Sequence, residues 1–176
     1  MVESLIWGPA AERTGLLAAP VAAAIGARPE ARVAEIDPEL ADTAAFCERY
    51  GMPLETSANC VVVAAKRGGE VSYAACMVLA TDRADVNGVV RRHLGARKVS
   101  FAPMADATSL TSMEYGGITP LGLPPEWPVL VDEAVTAVPE VVIGSGVRRS
   151  KLLVPGKALA DLPGAEVLAL TLGGPR

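Results

Sequence analysis

The stretch Asn59-Cys60-Val61-Val62-Val63-Ala64-Ala65-Lys66-Arg67-Gly68-Gly69-Glu70-Val71-Ser72-Tyr73-Ala74-Ala75-Cys76-Met77-Val78-Leu79-Ala80 reads as a β-hairpin at the centre of a sheet. Its two apolar runs are rich in β-branched residues and lack the polar alternation of a strand with one wet face, so both faces should be covered. Between them, Lys66-Arg67-Gly68-Gly69-Glu70 supplies the turn, because paired glycines accept the positive φ of a tight connection. A hairpin buried on both sides needs further elements above and below it.

The flanking sequence provides them. Asp82 and Asp85 precede Val86, Val89, Val90 and Leu94, an apolar stripe at helical spacing that Gly95 ends. Arg91, Arg92, His93, Arg97 and Lys98 occupy the other face and the end of that helix. Residues 98–102 then read as a short strand and 104–110 as a short helix. Upstream, residues 9–24 predict an Ala-rich helix that Pro20 bends or divides, and 32–36 alternate like a half-buried strand. Asp37-Pro38 offers an N-cap with proline at the first helical position, and Leu40, Ala44, Phe46, Cys47 and Tyr50 continue that helix to Gly51. Four more apolar segments, 128–132, 140–143, 151–154 and 166–170, are separated by Pro and Gly. Together they predict an α+β fold, one domain over residues 1–176 with a curved mixed β-sheet flanked by helices.

Apolar residues make up 51% of the chain but aromatic ones only 4%, so the core must be assembled from Val, Leu, Ile and Ala. A chain of 176 residues buries such a core without disulfides or metals. The net charge of −4 argues against a protein that coats nucleic acid, DNA included, through bulk positive charge. Cys47, Cys60 and Cys76 lie among apolar residues without metal-ligand spacing and read as reduced, buried thiols of a cytoplasmic protein. Glu3, with no basic stretch before the first apolar residues, argues against a secretory leader. The most apolar segment, 15–27, is broken by Pro20 and falls short of the ~20 residues that cross a membrane, so no membrane partner is expected.

Little conventional catalytic equipment is present. The one histidine, His93, has no Gly-x-Ser-x-Gly elbow to serve, and neither nucleotide-binding glycine motif occurs. One histidine and scattered thiols also make a catalytic zinc site improbable, and no cofactor is expected. What remains is two glycine-rich loops. Thr111-Ser112-Met113-Glu114-Tyr115-Gly116-Gly117-Ile118-Thr119-Pro120, followed by Leu121-Gly122-Leu123-Pro124-Pro125, can form neither helix nor central strand, and its glycines allow a ligand to approach the backbone. Gly144-Ser145-Gly146 follows the Val141-Val142-Ile143 strand, and a small hydroxyl residue there can hold an amine or a carbonyl. Each loop read alone is equally a plain turn.

The motifs in order carry more than each alone. Ala84-Asp85-Val86 leading to Leu94-Gly95-Ala96-Arg97-Lys98, then Gly116-Gly117-Ile118-Thr119-Pro120-Leu121-Gly122, Val129-Leu130-Val131-Asp132-Glu133 and Gly144-Ser145-Gly146 with the Arg148-to-Pro155 strand resemble the YbaK family over residues 55–172. Residues 1–54 add N-terminal helices and a strand. That family comprises free-standing relatives of the editing domain inserted in bacterial prolyl-tRNA synthetase. The resemblance implies a trans-editing deacylase that hydrolyses the ester between a mischarged small amino acid, Ala or Cys, and tRNA, above all tRNA for proline. Its partners would be aminoacyl-tRNA and an aminoacyl-tRNA synthetase. Such editing answers a physical need, since one methylene in a synthetase pocket is worth only roughly 1–3 kcal/mol. Carried over by position, Gly116 and Pro120 stand at the reacting ester, and Gly117, Ile118 and Thr119 shape the pocket. Asp132, Gly144, Ser145 and Gly146 complete the substrate site.

Relatives that deacylate carry a lysine within the first central strand, where ungapped counting puts Val62. Lys66, four residues on, returns to the same strand face roughly 13 Å away and is the catalytic candidate; the other reading is a solvated turn residue. Arg91, Arg92, Arg97 and Lys98, with Arg148, Arg149 and Lys151, are candidate contacts for acceptor-stem phosphates. A second function remains open, that of a non-catalytic relative binding an aminoacyl group, a tRNA end or a partner protein.

Overall fold

In the computed structural model, which describes residues 2–172, the chain runs β1 (Gly8–Pro9), α1 (Ala19–Ala24), β2 (Arg32–Glu35), α2 (Thr43–Tyr50), β3 (Ala58–Arg67), β4 (Glu70–Leu79), α3 (Arg91–Leu94), β5 (Lys98–Phe101), α4 (Met104–Thr111), β6 (Val129–Asp132), α5 (Glu133–Thr136), β7 (Val141–Gly144), β8 (Ser150–Val154) and β9 (Ala165–Leu168). β3 and β4 form the expected hairpin, in register from Ala58 opposite Leu79 to Arg67 opposite Glu70. The fold is the mixed α+β one that the pattern predicts, and its strands divide between two sheets, ordered β5-β3-β4-β6-β9 and β1-β2-β8-β7. In the first, β6 and β9 join parallel to the hairpin through long connections; the second is antiparallel throughout.

Alternation along the hairpin explains the layering. Met77, with Val129 and Val131 from β6, packs toward Val33, Ile143 and Leu152 of the second sheet. On the opposite face Val63, Cys76, Val78 and Leu130 lie under Val86, Val90 and Leu170. Each fully buried Val or Leu stabilises the fold by roughly 1.5–3 kcal/mol, which is why continuous apolar strands settle between two layers. α2 covers the outer face of the second sheet, setting Phe46 and Tyr50 against Ile36, Val142 and Leu153.

Local signals were obeyed with three adjustments. Within 9–24 the helix is only α1, between short 3-10 turns. Pro20 lies in its first turn, where the missing N–H has no acceptor to lose, so proline starts this helix and does not bend it. Asp37 caps a 3-10 turn, Pro38–Leu40, accepting the Glu39 N–H at 3.0 Å, and α2 begins afresh after Asp42. The helix before Gly95 opens with a π turn, Val86–Val90, whose Gly88 and Val89 N–H groups donate to the Asp85 carboxylate at 3.1 and 3.2 Å. Among the described residues no helix is long and apolar enough to cross a membrane.

Candidate functional site

β5 pairs with β3 only over Val63–Lys66, and the last contact is the Ala102 N–H to the Val62 carbonyl at 2.9 Å. Where β5 departs, a cleft of about 460 Å³ opens against the first half of β3. Ala58, Val62, Ala107 and Ile118 contribute small apolar walls, and Tyr115 and Gly116 bring the glycine loop to its side. Asp42 and Thr43, at the start of α2, form the opposite lip. The Thr43 hydroxyl donates to Asn59 Oδ1 at 2.6 Å, fastening that lip to β3. The volume lies in the range of small-ligand sites.

The two glycine loops hold each other. The Gly146 N–H donates to the Gly117 carbonyl at 2.7 Å, and the Glu114 N–H donates to the Gly146 carbonyl at 2.8 Å. Gly144 is what allows this approach, because a Cβ there would lie 2.5 Å from the Gly117 carbonyl oxygen. Arg148 clasps the assembly: its Nη1 donates to the Tyr115 carbonyl and its Nε to the Pro38 carbonyl, each at 3.1 Å, with Asp42 at 3.8 Å. Gly116, at φ +89°, lies under that guanidinium; a Cβ would meet Nη1 at 2.2 Å.

One cation reaches the cleft from below. Lys151, on β8, faces the same side of its strand as Leu153 and is buried at 6% exposure. Its ammonium donates to the Ala41 carbonyl at 2.8 Å and sits 5.3 Å from the Phe46 ring centroid. Burial pushes its pKa down to about 8, Cys47 and Asp42 hold it up in part, and Arg148 lowers it further. Among the described residues none offers it a carboxylate at ion-pair distance. Cys60 also lines the cleft, but burial, reinforced by Cys76, pushes its thiol far up, and burial takes Cys76 to about 12. Neither is a thiolate nucleophile near neutral pH.

The residues singled out from sequence divide sharply. Gly116, Ile118 and Gly144 line the cleft together. Gly117 and Gly146 serve the loop-to-loop contact. Thr119 is fully buried, and its hydroxyl has no hydrogen-bond partner among the described residues. Pro120 faces a different, apolar groove with Leu121 and Trp127. Ser145 is fully buried and joined to the Ser150 hydroxyl at 2.7 Å, while the buried Asp132 accepts the Leu170 N–H at 2.9 Å; both hydrogen bonds are internal to the fold. Lys66 is exposed and lies at the far end of the hairpin, opposite Lys98 in the β3–β5 register, among Arg67, Glu70 and Arg97. Arg97 and Lys98 lie at the same end, whereas Arg91 and Arg92 belong to α3, where the Arg91 Nε donates to the Asn87 carbonyl at 2.9 Å. Arg149 turns away from them to donate to the Gly15 carbonyl, and its neighbour Arg148 is the clasp. Lys151, grouped in sequence with those arginines as a phosphate contact, is corrected by its burial: β8 parity turns it inward with Leu153. The signal was a lysine set within the apolar strand run Leu152-Leu153-Val154.

The aminoacyl-tRNA editing domain model matches residues 37–162. No significant match was found among curated proteins. A crystal structure described as that of a proposed trans-editing enzyme for prolyl tRNA synthetase superposes with a TM-score of 0.76 at 24% identity, covering 89% of this chain and 97% of the other. That of the hypothetical protein APE2540 does so with a TM-score of 0.77 at 21% identity, covering 87% and 99%. With the family model spanning both lips, the glycine loop and β8, the chain belongs to the aminoacyl-tRNA editing domain family, the YbaK family.

Proposed function

We propose that the protein is a trans-editing deacylase that removes a small amino acid, alanine or cysteine, from mischarged tRNA, with tRNA for proline as the first candidate. The observation that carries this reading is the cleft itself. A strand edge, a glycine loop and small apolar walls converge on a space that fits a small aminoacyl group with its terminal ribose. No side-chain nucleophile is needed for such an ester. Backbone groups and a cation can stabilise the tetrahedral intermediate while water attacks, in the manner of an oxyanion hole. Ala58, Val62, Ala107 and Ile118 would admit a methyl or thiol side chain and crowd a larger one. Outside the cleft, Arg97, Lys98 and Lys66, exposed together at one end of the hairpin, would receive backbone phosphates, with Arg91 and Arg92 on α3 as further candidates.

The test is incubation of the purified protein with tRNA for proline charged with Ala, Cys or Pro, together with a broader mischarged panel. Accelerated release of Ala or Cys over Pro is expected. If no ester in the panel is released faster than in buffer, the protein is instead a binding member of the family.

A further inference from the structure

Resting on that reading, we propose that Lys151 is the catalytic cation of the cleft, its ammonium donating to the carbonyl oxygen of the bound aminoacyl ester. The resemblance looks for a lysine on β3, the wall built by the hairpin. Here the charge comes from the facing sheet, on β8, and reaches the same space from the other side. Val62 holds the β3 position as an apolar wall, and Lys66 is too far along the strand to share the cleft.

The surroundings of Lys151 are poor as a purely structural arrangement. A buried ammonium is costly unless paired, yet among the described residues its contacts are one backbone carbonyl and an aromatic ring, with Asp42 and Cys47 acting on it from beyond ion-pair distance. Its carbonyl partner belongs to Ala41, itself part of the cleft lining. Two of the three ammonium protons therefore remain for a ligand entering between Asp42 and Gly116. A positive charge with no carboxylate at ion-pair distance among the described residues is suited to an oxygen that becomes negative only during reaction.

The step balances as follows. Water adds to the carbonyl carbon, and the C=O electron pair moves onto the oxygen that Lys151 faces. Collapse restores C=O and breaks the carbon–oxygen bond to the ribose, and the proton given up by water ends on the ribose oxygen. The products are the free amino acid and tRNA with an intact terminal hydroxyl. Lys151 keeps its own protons throughout.

The variants K151Q and K151M separate charge from scaffolding. Glutamine keeps a donor for the Ala41 carbonyl without the charge; methionine loses both. With folding checked by circular dichroism, single-turnover release of alanine should fall by about 100-fold in kcat for both variants, the scale of losing one oxyanion donor. The exposed K157Q should behave as wild type. K151Q retaining more than half of wild-type kcat overturns the proposal. A wild-type protein inactive on the whole panel would instead sink the deacylase reading. In that case, or should neither variant fold, binding of 3′-deoxy-3′-propanamidoadenosine decides. This amide isostere has no amine that titrates between pH 7 and 9.5. The groups facing Lys151 are Asp42, Arg148, the uncharged Phe46 ring and Cys47, and the thiol is removed as a variable by C47S. Affinity should fall as pH rises through about 8 in wild type and in C47S. No binding, or binding indifferent to pH, overturns the role of the ammonium.

Discussion

Lys151 ties stability to pH in a direction opposite to that of two thiols, Cys60 and Cys76. Its folded pKa of about 8 lies below the ordinary lysine value near 10.4, so between these limits the unfolded chain holds more protons. Its penalty is therefore full below pH 8 and relieved as pH rises toward 10.4. Cys60 and Cys76, raised by burial, act the other way, losing stability above their unfolded values. The Lys151 contribution is thus isolated by comparing K151M with wild type in urea titrations at several pH values. The stability of K151M relative to wild type should decline by roughly 1–3 kcal/mol between pH 8 and 10.4. A constant difference would mean that the ammonium is already solvated.

Among the elements, α4 aims the glycine loop, and its end is under strain. Ser112 follows the last helical residue at φ +56°, the one described non-glycine residue with positive φ. L-residues carry a Cβ penalty in that conformation, and the C′ position of a helix favours glycine for this reason. Ser112→Gly should raise stability by roughly 0.5 kcal/mol, net of the extra freedom glycine gives the unfolded chain, visible as a higher urea midpoint at unchanged m-value. Below that cap the buried Thr111 hydroxyl donates to the Ala107 carbonyl at 2.6 Å and accepts the Met113 N–H at 3.2 Å, carrying the turn into the loop. Thus α4 and the two interlocked glycine turns present Gly116 and Ile118 to the cleft as a unit, with Arg148 binding them to the segment before α2. β5 does the rest by leaving β3 early.

At the scale of the whole molecule, charge and cleft occupy two stations along the same strands. Lys66 stands directly opposite Lys98, with Arg67 and Arg97 beside them. Like charges facing across a strand pair are unfavourable, and an anion between them would relieve this. Phe101, at the other end of β5, lines the cleft roughly 10 Å from Lys98, a span that a few nucleotides bridge. Replacing Arg97 and Lys98 together with glutamine should weaken tRNA binding and lower the slope of log K against log salt by ~1–2, with kcat at saturation unchanged. An unaltered slope would place the phosphates elsewhere. The net charge of −4 makes this local strip, rather than bulk attraction, the natural source of any such contact.

The hairpin, the Asp85 and Gly95 caps, the helix to Gly51 and the glycine loop were legible in the sequence because their signals act within a few residues: strand period, cap chemistry and the need for φ above zero. The ordered motifs carried the family as well. Pro20 misled in detail because proline's effect depends on which turn of a helix it occupies. Pairing was hidden, since short apolar strands look alike until long-range contacts sort them, and so the division into two sheets came only with the fold. The same sorting decided Lys151. In sequence it follows two arginines and reads as surface charge, whereas β8 pairing with β2 and β7 turns it under α2 and into the cleft. Sequence alone determined the glycine loop and, through the order of its motifs, the family. Tertiary structure decided which lysine faces that loop, because burial is set by the neighbours of a strand and not by its own residues.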